Sequence, residues 1–67
     1  MPRLYSSRNI ISVLEKNDFY FVSQRGSHVK MRKGKWTVIV PANRRVIPFG
    51  TFNSILRQSG LNSDNFL

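Results

Sequence analysis

The chain has 67 residues, no cysteine, one histidine and a formal net charge of +8, from eleven Lys and Arg against three acids. This length suits a single domain over residues 1–67 with a modest core. The composition excludes disulfide staples and thiolate metal sites. One histidine with Glu15, Asp18 and Asp64 supplies too few donors for a zinc or calcium cage, so no metal or cofactor is expected.

The longest apolar run, Val38-Ile39-Val40, is far too short to span a bilayer. Residues 1–7 lack the apolar stretch of a signal peptide. With no cysteine, the chain reads as cytoplasmic and without a membrane partner. Its charge density favours an anionic partner, of which nucleic acid is the commonest.

Ser6 or Ser7 can cap a helix running to about Asn17, with Ile10, Ile11, Val13 and Leu14 on one apolar face. Arg8, Glu15 and Lys16 lie off that stripe, and Asn17-Asp18 ends it. Phe19 to Arg25 is aromatic and β-branched, which favours a strand. Arg25-Gly26 marks a tight turn. Ser27 to Arg32 then alternates: Val29 and Met31 point one way, His28, Lys30 and Arg32 the other. Lys33-Gly34 is a second turn, and Lys35 to Val40 a third strand with Trp36, Val38 and Val40 on one face. Pro41 ends its pairing for want of an N–H.

Ala42 to Phe49 reads as a loop carrying Arg44 and Arg45. Gly50-Thr51 opens a second helix with Thr51 as N-cap. Phe52, Ile55, Leu56 and Ser59 share a face, and Gly60 stands just past the end. The tail 62–67 is polar except for Phe66 and Leu67, which can dock on the core. The expected architecture is α+β, in the order α-β-β-β-α. Both helices cover one face of a three-stranded antiparallel sheet, in the manner of a double-stranded-RNA-binding domain. The register of the first hairpin stays open. A two-residue turn at Arg25-Gly26 puts Tyr20 and Val22 inside, whereas a three-residue turn including Ser27 puts Phe19 and Phe21 inside.

His28 carries the one side chain whose ordinary titration lies near neutrality. It stands among cations on the polar face, with Lys30 and Arg32 beside it and Arg25, Lys33 and Lys35 at the hairpin ends. RNA holds its own nucleophile, the 2′-hydroxyl. Cutting it needs a base, an acid and positive charge on the phosphorane, which an imidazole among lysines and arginines can supply without a metal. The plainer alternative is a surface histidine on a solvated basic face. Arg44 and Arg45 can bind phosphate or keep a loop soluble. Tyr20 and Trp36 can stack on bases, although Trp36, sharing a face with Val38 and Val40, is expected in the core. No serine elbow exists, and Ser27 and His28, as strand neighbours, point apart.

Taken in order, these segments resemble the HicA family of toxins from toxin–antitoxin modules, over about residues 7–61. Gln24-Arg25-Gly26-Ser27-His28 resembles the family's glycine–serine–histidine hairpin. Val38-Ile39-Val40-Pro41 resembles its third strand. Gly50-Thr51-Phe52 with Ile55-Leu56-Arg57-Gln58-Ser59-Gly60-Leu61 resembles its second helix. The resemblance implies metal-independent cleavage of mRNA, inhibition of translation and His28 as the catalytic residue. Arg25, Gly26, Ser27, Lys30, Arg32, Lys33, Lys35, Arg44 and Arg45 would then be the RNA-binding set. It also implies a HicB-type antitoxin covering the active site, with the toxin a monomer inside a hetero-oligomer. Many members carry a second histidine shortly after the third-strand proline. Here that stretch is Pro41-Ala42-Asn43, so water, a lysine or the substrate would supply the other proton transfer.

Overall fold

The computed structural model describes residues 4–67. Its elements run α1 (Ser7–Lys16), β1 (Tyr20–Arg25), β2 (His28–Lys33), β3 (Trp36–Pro41), α2 (Phe49–Ser59) and a short 3₁₀ turn at Ser63–Phe66. The strands form one antiparallel sheet in the order β1-β2-β3. Both helices pack on the same face, so the expected α-β-β-β-α sandwich is the fold.

Local chemistry sets the helix ends. Ser6 is the N-cap of α1: its hydroxyl accepts from the Asn9 N–H at 3.1 Å, and the Asn9 side chain accepts from the Ser6 N–H in return. The C-terminus closes in a Schellman motif. Phe19 N–H donates to the Leu14 carbonyl and Asp18 N–H to that of Glu15, which forces Asp18 to φ +71°. Phe19 and Leu14 meet in the core beneath this motif.

The N-cap of α2 lies three residues earlier than expected. Pro48 is the N-cap, without a side-chain bond, and Thr51 lies in the first turn rather than capping it. Proline explains the shift: its fixed φ suits a helix boundary, and its carbonyl accepts the Phe52 N–H at 2.9 Å. Gly60 ends the helix at φ +72°.

Both hairpin loops are displaced by one residue from the expected turns. They are Gly26-Ser27, between the paired Arg25 and His28, and Gly34-Lys35, between Lys33 and Trp36. Glycine stands first in each at φ +55°, a conformation that L side chains rarely adopt. The open register resolves in neither simple form. Gln24 faces Val29 near the loop, then a bulge at Val22 slips the ladder so that Phe21 faces Met31. Phe19 is thereby buried. Phe21, on the core side at the edge strand, stays 55% exposed because the helix layer does not reach over β1.

The core joins Ile10 and Leu14 of α1, Val29, Met31, Val38 and Val40 of the sheet, and Phe52 and Ile55 of α2. It extends past residues 7–61 at both ends, to Tyr5 and Phe66. Tyr5 stacks on Phe52 with ring centroids 4.9 Å apart, and Phe66 meets both rings edge-on. Phe66 thus docks as expected, whereas Leu67 is exposed. Trp36 points to the core side but sits on its rim, 40% exposed, with its ring against Gly60. The free edge of β3 is blunted by Gln58, whose side-chain oxygen accepts the Ile39 N–H at 2.9 Å.

Candidate active site and basic surfaces

Register, not sequence distance, gathers the first group. Arg25 pairs with His28, Ser23 with Lys30, and Lys30 with Ile39, so these five side chains share the face of the sheet that the helices leave open. They line a depression of about 380 Å³. His28 is exposed, and no described residue hydrogen-bonds its ring. Arg25 and Lys30 are its cationic neighbours in the depression. Further along the same face, Arg32 lies opposite Tyr20 on one side and Thr37 on the other.

Gly26 and Ser27 form the hairpin loop that joins Arg25 to His28. The Ser27 carbonyl accepts the Ala42 N–H at 2.6 Å, tying the hairpin tip to the chain that leaves β3.

The other expected RNA contacts are not part of this depression. Lys33 precedes the second hairpin loop and Lys35 lies in it, about 17 Å along β2 from His28 at roughly 3.4 Å per residue. Lys33 pairs with Trp36 on the opposite face, and the Lys35 ammonium stands 5.8 Å from the Trp36 ring centroid.

Arg44 and Arg45 line a larger cleft, about 610 Å³, on the helix side. One side of α1, from Arg8 to Glu15, also lines it, together with Gln24 and Val29 of the sheet. Ser7 holds these walls together. Its buried hydroxyl donates to the Pro41 carbonyl and accepts the Arg44 N–H at 3.0 Å, while its own N–H donates to the Arg44 carbonyl at 2.9 Å. Asn43 reaches φ +58° and lines this cleft, not the His28 depression.

Sequence reasoning missed Arg8, Ser23 and Ile39. Ser23 and Ile39 become visible once the hairpin register is known. Nothing local marks Arg8, because its partners lie far along the chain.

Chemically, the open-face depression offers an accessible imidazole able to exchange a proton, with two cations able to stabilise negative charge on a phosphate. Among the described residues no three His, Cys, Asp or Glu side chains gather as metal ligands, and no helix is long and apolar enough to cross a membrane. The family model described as "HicA toxin of bacterial toxin-antitoxin" matches residues 7–61. No curated protein matches the sequence.

Proposed function

Since the chain belongs to the HicA toxin family of toxin–antitoxin modules, we propose that it is an endoribonuclease that cleaves mRNA through His28 and so inhibits translation. The supporting observation is the placement of that one imidazole: exposed, on the sheet face free of helices, in a depression shared with Arg25 and Lys30.

In this reading a phosphate sits over the depression, with Arg25 and Lys30 balancing its charge. His28 takes the proton of the adjacent 2′-hydroxyl as the 2′-oxygen bonds to phosphorus. The bond from phosphorus to the 5′-oxygen breaks, and that oxygen takes a proton from water or from Lys30. The products are a 2′,3′-cyclic phosphate and a 5′-hydroxyl. General base catalysis contributes about 10²–10⁴-fold, and the cations add charge stabilisation in the transition state.

Arg32 extends the basic face, and Gly26-Ser27 lets the strand approach its rim. Lys33 and Lys35 lie too far away to touch the reacting phosphate and act on flanking nucleotides. The protein partner in this reading is a HicB-type antitoxin that covers the depression, with one toxin chain per site in a cytoplasmic hetero-oligomer.

The test incubates purified protein with labelled mRNA, with and without chelator, beside His28→Ala. The expected result is cleavage that survives chelator and disappears in the variant, which keeps the parental melting temperature because His28 is exposed. Cleavage by His28→Ala at the parental rate removes His28 from the mechanism.

One observation favours a second reading, a non-catalytic RNA-binding module: no described side chain orients the His28 ring. That reading predicts salt-dependent RNA retention and no new RNA ends after long incubation. The first turn of α2 carries no basic residue, which disfavours duplex binding in the usual manner of the fold class.

A further inference from the structure

We propose that the helix-side cleft is a second phosphate site, built by Arg8, Arg44 and Arg45, and that it holds a single-stranded RNA after the strand has turned over the end of the sheet from His28. The identity of the polymer rests on the function proposed above; the site itself rests on its own geometry.

Three arginines from two separate segments converge on one cleft of about 610 Å³. All three are exposed. None of their guanidiniums has a hydrogen bond or ion pair with a described residue, whereas Arg57, elsewhere, spends its own on Ser54. Guanidiniums bind phosphate oxygens through two donors at once, so an open set is suited to a nucleic-acid backbone.

The walls are fixed in place. Ser7 ties the chain after β3 to α1 through three hydrogen bonds: its hydroxyl donates to the Pro41 carbonyl and accepts the Arg44 N–H, and its own N–H donates to the Arg44 carbonyl. Within that first turn the N–H groups of Ser7 and Asn9 are taken, and that of Arg8 has no partner among the described residues. Glu15, two turns further along α1, closes the far end of the cleft. Its charge repels phosphate there, confining the anion to the arginine end.

The position of the cleft limits the form of the RNA. Alternate residues of one hairpin border both sites. Ser23, Arg25, His28 and Lys30 face the open side, while Gln24 and Val29 face the cleft. A strand joining the two must therefore cross the end of the sheet at Gly26-Ser27. Gly26 brings no side chain to that crossing, and the space where a Cβ would stand is open, with nothing within 4 Å. A single strand can make such a turn. A duplex cannot, since nucleic-acid duplexes stay stiff over roughly 150 base pairs. Both sites are thus engaged together by unpaired RNA.

Fluorescence anisotropy tests this on the full chain carrying His28→Ala, so that no probe is cut. The probes are a long oligouridylate, a uridine trinucleotide and a self-complementary RNA duplex, read against salt. Adding Arg8→Ala, Arg44→Ala and Arg45→Ala should weaken the long strand by about tenfold or more. It should also lower the salt slope by about 2, at roughly 0.7 per lost phosphate contact on a single strand. The trinucleotide, which fits the His28 depression alone, should lose no more than about twofold of its affinity. Glu15→Gln should tighten the long strand, and the duplex should bind less tightly than the long strand throughout.

Parental affinity and salt slope in the triple-arginine variant overturn the proposal. So does a duplex bound as tightly as the long strand, or a variant that keeps RNA but loses an acidic partner protein. If the parent binds RNA through the cleft but never cleaves it, the nuclease reading falls and this site stands. If the parent cleaves and the arginine substitutions change no binding, this site falls and the nuclease reading stands.

Discussion

Ser7→Ala is the substitution expected to damage the scaffold of the site most for the smallest change in volume. The hydroxyl is buried and makes two hydrogen bonds, donating to Pro41 and accepting from Arg44. Alanine leaves a carbonyl and an N–H without that partner. Each unsatisfied buried group costs about 1–3 kcal/mol, and access of water from the neighbouring cleft offsets part of it, leaving roughly 2 kcal/mol in all. At about 4–8 °C per kcal/mol for a domain of this size, the melting temperature should fall by about 8–16 °C. Ser6→Ala is the control. It removes a half-buried cap whose hydroxyl bonds only Asn9 of the same helix turn, and should cost about 1 kcal/mol. Thermal melts followed by circular dichroism measure both. Ser7→Ala melting within about 2 °C of the parent, or above Ser6→Ala, would refute the claim that this hydroxyl clamps the β3–α2 loop to α1.

Three further outcomes follow from single positions. Asp18→Gly should stabilise the protein by about 0.5–1 kcal/mol in urea denaturation, because Asp18 holds φ +71° in the cap of α1 and glycine does so without a Cβ clash. Gly60→Ala should destabilise it by at least about 1 kcal/mol, since φ is +72° and a Cβ would stand 2.9–3.2 Å from the Trp36 ring; a shift in tryptophan emission should accompany the loss. Phe66→Ala should cost about 3–5 kcal/mol by opening the Tyr5–Phe52–Phe66 cluster, enough to leave a chain this small largely unfolded at 37 °C by near-ultraviolet circular dichroism.

The element order was legible because hydrophobic period and turn residues act locally. The apolar stripe at Ile10 and Leu14, the alternation from His28 to Arg32 and the stop at Pro41 each report backbone geometry directly. The side of the sheet on which His28 stands was legible for the same reason: its neighbour Val29 is inward in every register considered. What stayed hidden depends on contacts between distant residues. Choosing Ser6 over Ser7 as the cap requires knowing that Ser7 is engaged by Pro41 and Arg44 across the fold. The bulge at Val22 exists because one ladder must satisfy both a Gly26-Ser27 loop and the burial of Phe19. Thr51 looks like a cap in isolation, but Pro48 begins the helix first. Trp36 reads as core by its face, and only the end of α2 at Gly60 shows that it lies on the rim. The basic residues separate in the same way. Arg25 and Lys30 reach the His28 depression, Lys33 and Lys35 stand at the far end of the strands, and Arg44 and Arg45 join Arg8 around the corner.

The most direct measurement is the chemical identity of the ends made when the purified protein and its His28→Ala variant meet RNA in chelator. A 2′,3′-cyclic phosphate and a 5′-hydroxyl from the parent, with intact RNA from the variant, is the result expected of an imidazole that takes the 2′ proton. Cuts that leave a 5′-phosphate, or the same ends from the variant at the same rate, would contradict it.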